Sequence, residues 1–174
     1  GREPLGEAPA GAPAWRVLRL ERQPSADTPW AERAAFLAAH PALWQDAPQV
    51  LAWDDDVEIS AVAVAELLRV MRQHGLALCQ PSLAWQSHFV DPTTLHNPSF
   101  VFRHTSRIDP AVLAIGQAEL RRLLPLIQAL PGRAALSRLL PACQDVPQAG
   151  AAVVDAVQAL RTAEPAADEA AEDR

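Results

Sequence analysis

The segment Gln49-Val50-Leu51-Ala52-Trp53 turns apolar after its first residue and then stops in three consecutive acids, Asp54-Asp55-Asp56. An apolar run too short for a helix and cut off by charge reads as an interior strand whose carboxyl end emerges at the rim of a sheet. The residues beyond the acids narrow the fold further. Ser60 is positioned to cap a helix, and Val64, Leu67, Leu68 and Met71 recur at the spacing of one helical face. Gly75 fits the position just past that helix, and Leu76-Ala77-Leu78-Cys79 reads as the next buried strand. Residues 50–79 therefore spell a strand, helix, strand unit, which crosses over right-handedly and sets its strands parallel. The expected class is α/β, a mostly parallel sheet flanked by helices.

The chain has 174 residues and is 49% hydrophobic, enough for one substantial core. A single domain is expected over residues 15–162, between a flexible Pro-, Gly- and Ala-rich leader (1–14) and a disordered acidic tail (163–174). Residues 15–20 read as a short strand. Thr28 and Pro29 then open a helix that places Trp30, Ala34, Leu37 and Ala38 on one face and ends at His40, because Pro41 disfavours helical geometry in the residue before it. Residues 80–106 are polar and interrupted by Pro81, Pro92 and Pro98, which predicts a long loop with at most one strand, at 99–104. Long loops at the carboxyl ends of parallel strands carry ligand contacts, so this loop is the expected substrate rim. Residues 118–125 are echoed by 134–141, each copy a short amphipathic helix stopped by proline, here Pro125 and Pro141, and a packed helix pair is expected. A last strand is expected at 151–157.

Charge and composition exclude some functions. The formal net charge is −6, and the last twelve residues carry five acids and one arginine, so the body is nearly neutral. Without clustered positive charge there is no footprint for duplex nucleic acid. Cys79 and Cys143 lack zinc-ligand spacing and read as buried thiols. No apolar run reaches the ~18 residues needed to cross a bilayer, and the opening residues do not read as a secretory signal, so a soluble, cytoplasmic protein is expected. Gly1 stands where an initiator Met would, which suggests a missing natural start; Lys and Tyr are absent, a compositional bias without functional meaning here. Asn97-Pro98-Ser99 is a sequon blocked by its proline. His74 is expected at a helix end, and His88, His96 and His104, irregularly spaced, are expected to be solvated or hydrogen-bonded rather than ligands. Trp85 on the rim is either a half-buried packing residue or an aromatic platform for a sugar ring.

The triplet itself has two readings. In an extended segment Asp54 and Asp56 point to one side and Asp55 to the other. Like charges about 5 Å apart repel by ~0.8 kcal/mol even in bulk water, so something positive should offset the pair. A hard divalent cation, Mg²⁺ or Mn²⁺, does so while also holding substrate phosphates. Alternatively, Asp56 or Ser60 caps the following helix and the other acids are simply solvated near its positive end.

Trp53-Asp54-Asp55-Asp56-Val57-Glu58-Ile59 together with His74-Gly75-Leu76-Ala77-Leu78-Cys79-Gln80-Pro81-Ser82-Leu83 resembles the core of the domain-of-unknown-function 707 family, a glycosyltransferase-like group. Pro29-Trp30 and Ala38-Ala39-His40-Pro41 resemble the segment preceding that motif. The likeness covers roughly residues 28–105 and continues more weakly through Leu124-Pro125. It implies a GT-A-like, nucleotide-diphospho-sugar-transferase fold in which an Asp-x-Asp motif holds a divalent metal against the diphosphate of a nucleotide-sugar donor. On that resemblance Asp54 and Asp56 become metal ligands, Asp55 a neighbour to ribose or metal, and Gln80 and Ser82 groups facing the same cleft. Asp109 either takes the place of the family's carboxylate that would act as general base toward an acceptor hydroxyl or is a loop acid or turn residue before Pro110. Asp145 is a loose counterpart of a further family acid. The His-Thr that follows the last strand in the family reads Arg161-Thr162 here, displaced and lacking the imidazole. The resemblance thus implies a metal-dependent glycosyltransferase; the alternative is a noncatalytic carbohydrate-binding or scaffold relative. Since GT-A-like domains build their base pocket before the acidic motif, a shortened or drifted chain lacking a first nucleotide-binding strand is a further expectation.

Overall fold

The computed structural model describes residue 10 and residues 15–17, 29–130, 132–143 and 151–164. The expected leader, the cap at Thr28, Asp145 and most of the acidic tail lie outside the described residues, as does the second half of the strand expected at 15–20; Trp15, Arg16 and Val17 have no regular structure. In chain order the elements are α1 (Pro29–Ala39), β1 (Gln49–Trp53), β2 (Val57–Glu58), α2 (Ala61–Gln73), β3 (Leu78–Leu83), β4 (Arg103–His104), β5 (Val112–Gly116), α3 (Gln117–Ala129), α4 (Arg133–Ala142) and β6 (Ala151–Arg161).

The molecule is α/β, but its sheet is mixed and mostly antiparallel. Strand order is β1-β5-β3-β6-β2, with β4 also pairing β6. Among the described strands only β3 and β6 pair in parallel, beside an isolated parallel bridge between Leu83 and Leu95. The expectation that β1 and β3 are parallel neighbours is corrected: β5 lies between them, antiparallel to both, with Trp53 opposite Val112 on one side and Cys79 opposite Ala114 on the other. The crossover through α2 therefore skips one position, which a later strand fills from the opposite direction. β1 and β3 still run the same way, so their carboxyl ends share one side of the sheet.

Alternation along β5 explains the layering. Leu113 and Ile115 face a core shared with Trp30 and Ala34 of α1, Leu120, Leu123 and Ile127 of α3, and Leu136 and Leu140 of α4. Ala114 faces the other way, onto Leu67, Val70 and Met71 of α2. Successive strand residues point to opposite faces, so one apolar strand supplies both cores. Small residues, Cys79, Ala114 and Ala152, lie under α2. Burial pushes the Cys79 thiol up to about 12, so it is inert as a nucleophile at neutral pH.

α2 starts and stops as its sequence dictates: Ser60 Oγ accepts the Ala63 N–H at 3.1 Å, and Gly75 adopts φ 63° beyond the end. β3 runs further than expected, because Pro81 is accommodated at a register shift. Pro81 lies opposite Val154 and Ser82 opposite Gln158, so the missing N–H falls where the ladder with β6 is already broken. Gln80 and Ser82 are consequently strand residues, not loop residues. The expected arrest of the two amphipathic helices by proline is also corrected. Pro125 lies inside α3, which continues far enough to bury Ile127, and Pro141 lies inside α4. A mid-helix proline costs ~3 kcal/mol. Burying one isoleucine side chain returns about 1.5–3 kcal/mol, comparable in size. Among the described residues no helix is long and apolar enough to cross a membrane.

Candidate functional site

Residues 54–57 form a tight turn rather than a continued strand, closed by the Val57 N–H donating to the Asp54 carbonyl at 3.1 Å. The three side chains differ in exposure: Asp54 is buried at 5% exposure, Asp55 is exposed at the tip, and Asp56 is partly buried. β2 comes directly after the turn and pairs with the end of β6, so Asp56 does not cap α2; Ser60 does.

The positive charge that two neighbouring carboxylates demand is supplied by arginines. Asp54 accepts from Arg33 of α1 through Oδ1 and from Arg133 at the start of α4 through Oδ2. Asp56 Oδ2 accepts from Arg161 Nε at 3.2 Å, and Arg161 Nη1 donates to Asp109 Oδ2 at 3.3 Å. Arg161 ends β6 and is 2% exposed, so it is built into the interior as the link between Asp56 and Asp109. Three aspartates and three arginines thus form one charge-balanced cluster at the carboxyl end of β1. Removing one member of such a buried pair costs about 3–5 kcal/mol, because the partner is left as an unpaired buried charge.

The shell around the cluster is specific. Trp30 Nε1 donates to the Pro110 carbonyl at 2.7 Å and its ring lies 5.2 Å from the Arg33 guanidinium, so α1 fixes both the Asp109 loop and the arginine beside it. Gln80, fully buried, accepts the Asp109 N–H at 2.5 Å and orients that loop from inside the sheet instead of facing an open cleft. Burial holds the Asp109 carboxyl above the usual aspartate range, against the opposing pull of Arg161, the Ala111 N–H and Arg133. Its Oδ1 is taken by the Ala111 N–H at 2.9 Å, so both of its oxygens are engaged.

Two atoms in the cluster are not satisfied. Asp56 Oδ1 and Arg33 Nη1 are buried and have no hydrogen-bond partner among the described residues. A buried unpaired polar atom costs about 1–3 kcal/mol, more when charged, so this lone acceptor and lone donor are the two groups whose cost a bound partner would relieve. Among the described residues no three His, Cys, Asp or Glu side chains are arranged to hold a metal by themselves.

Ser82 is also sealed in. Its hydroxyl donates to the Val157 carbonyl at 2.9 Å and lies 3.2 Å from His96 Nδ1, which is itself 3.9 Å from Asp155 Oδ1. The set looks like a nucleophilic triad but does not function as one: the serine proton is already committed, the residue has no exposure, and both neighbours meet the same ring nitrogen. Trp85 corrects the packing expectation, being 68% exposed on the turn after β3. That turn is tied to the end of β6, with Ser87 Oγ accepting the Arg161 N–H at 3.1 Å and the His88 N–H donating to the Arg161 carbonyl at 3.1 Å.

Sequence reasoning found the acids and missed Arg33 and Arg133. Arg33 carried a signal, a cation one turn from Trp30 and adjacent to Ala34 on the apolar stripe of α1. Arg133 carried none, since its partner lies 79 residues away. Comparison with known protein families, with curated proteins and with solved structures finds no match to this chain.

Proposed function

We propose that this chain is a glycosyltransferase-like protein of GT-A-like type that binds the diphosphate of a nucleotide-sugar, with a divalent cation, Mg²⁺ or Mn²⁺, entering alongside it. The single observation that carries the reading is the pair of unsatisfied buried atoms, Asp56 Oδ1 and Arg33 Nη1. A diphosphate alone would add two or more negative charges to a balanced cluster, whereas a diphosphate accompanied by a divalent cation adds almost none. Asp56 Oδ1, and Asp54 once its arginines turn to phosphate oxygens, are the residues that would hold the ion. Cations of this type commonly take one or two protein carboxylates and fill the remaining positions with phosphate and water. When bound, the ion would supply neutralisation of the diphosphate leaving group. Arg33 and Arg133 are the forked donors suited to phosphate oxygens. Asp55, exposed at the turn, would contact ribose, and the exposed ring of Trp85 would offer an acceptor sugar a flat apolar surface. Unpaired Cys79 and Cys143 accord with a cytoplasmic location.

One observation favours the noncatalytic alternative: Asp109, the residue proposed as general base, is buried with both oxygens engaged. Calorimetric titration tests the binding reading. Mn²⁺ and uridine or guanosine diphosphate are expected to bind together at least tenfold more tightly than either alone, a coupling of about 1.4 kcal/mol. Asp56→Asn is expected to abolish the coupling while leaving the fold intact. No heat from the mixture, or unchanged coupling in Asp56→Asn, overturns the proposal. Release of nucleoside diphosphate from a nucleotide-sugar then separates transfer from binding alone.

A further inference from the structure

A polar cavity opens beside β4, sharing no residue with the aspartate–arginine cluster. It has a volume of about 420 Å³ and is lined by Asp91, Thr93, Arg103, His104, Thr105, Ser106, Arg107 and Val153. Seven of these eight residues carry a polar group, so hydrogen-bonding groups line the cavity beside a comparable share of apolar surface.

Its donors and acceptors are unequally spent. Asp155, with no exposed side-chain surface, accepts from Arg103 Nε at 2.7 Å and Nη2 at 3.1 Å and from the Asn97 N–H at 2.8 Å. Arg103 Nη2 also donates to the Leu95 carbonyl at 2.8 Å. The guanidinium is therefore locked from behind, and its Nη1 makes no hydrogen bond among the described residues. A donor fork held rigid in this way loses little entropy when it engages an oxyanion.

The one acid lining the cavity is largely occupied. Asp91 Oδ1 accepts from the Thr93 N–H at 2.8 Å and from the Thr93 hydroxyl at 2.7 Å, capping a short turn of helix. Its Oδ2 lies 3.5 Å from Arg107 Nη1, a loose pair with the arginine side chain 35% exposed. A ligand anion that replaced Asp91 at Arg107 would leave Asp91 still hydrogen-bonded on its other oxygen. Thr105 already closes its own turn, accepting the Arg107 N–H at 3.1 Å and donating to the Arg107 carbonyl at 2.7 Å, which fixes the backbone that carries Arg107.

We infer that this cavity is a binding site for a small ligand bearing an oxyanion, a phosphate or a carboxylate, held between Arg103 and Arg107 with Ser106 and His104 as further donors. The site does not depend on the nucleotide-sugar reading, and its test leaves the aspartate–arginine cluster untouched.

The full chain is titrated with inorganic phosphate, with a sugar phosphate, with a uronic acid and with neutral glucose, monitored by chemical-shift changes of residues 103–107. Phosphate-bearing or carboxylate-bearing probes are expected to shift these signals and glucose is not; which of the two binds more tightly identifies the source of the oxyanion. Arg107→Gln is expected to weaken binding by roughly tenfold, in line with loss of a hydrogen bond to a charged group, with circular dichroism checking that the fold is kept. Asp91→Asn, which removes the competing carboxylate but keeps an oxygen for the cap, is expected to tighten it several-fold. Glucose binding as well as the anions, Arg107→Gln binding as well as the parent, or Asp91→Asn weakening the interaction each overturns the inference.

Discussion

Asp54, Asp55 and Asp56 are chemically identical in sequence and are made different by what surrounds them. Asp54 is clamped by two guanidiniums, Asp55 stands in solvent, and Asp56 shares Arg161 with Asp109 and keeps one oxygen unpaired. The repulsion that argued for a counter-cation was legible from the triplet alone; that arginines from α1, α4 and β6 provide it was not, because they lie far along the chain. Asp109 yields a prediction whose sign is set by burial. Its carboxyl is held above the ordinary range in the folded protein, so at pH values between the unfolded and folded ranges the native state keeps a proton that the unfolded chain has lost. The stability this contributes is complete at pH values below the ordinary aspartate range and is lost as pH rises toward the elevated folded value. Asp109→Asn cannot titrate, so the melting temperature of the parent minus that of the variant is expected to fall as pH rises through this window. A difference that grows with pH would mean that Arg161 keeps Asp109 ionised in the native state.

At the scale of elements, α2 is the part most completely written in local sequence. Its apolar spacing, the Ser60 cap and the terminal glycine each appear where the sequence places them, because each depends only on neighbours within a few residues. Gly75→Ala tests this directly. No atom lies within 4 Å of an added Cβ, so the cost comes from the left-handed backbone alone and is expected to be about 1 kcal/mol in chemical denaturation, without loss of helix. A much larger loss would reveal a contact that the backbone argument does not contain. Elements that depend on distant partners were poorly legible. β2 is two residues long and exists because the end of β6 lies opposite it. α3 continues through Pro125 because burial of Ile127 in the core offsets a comparable local penalty at the proline.

For the whole molecule, the α/β class could be read from alternating apolar strands and amphipathic helices, but the direction and order of the strands could not. Nothing in residues 49–83 announces that β5 will lie between β1 and β3; that is decided by which apolar strand the long loop returns to the sheet. The position of β5 also bears on how the protein must come into being. Among the described residues β5 is the only strand hydrogen-bonded to β1, and it is also one of the two pairing with β3. A ribosome that has delivered the acidic motif, α2 and β3 has therefore made a helix and two strands that cannot zip to each other. Such deferred, non-local pairing slows folding and leaves strand edges exposed in the meantime. A fragment ending at Thr105 is expected to show helix by circular dichroism yet no slowly exchanging amides in residues 49–53. Protection of those amides in the fragment would mean that β1 finds another mate. On this view the acidic turn takes shape only after synthesis has passed Gly116, so the candidate site is among the last parts of the molecule to acquire its form.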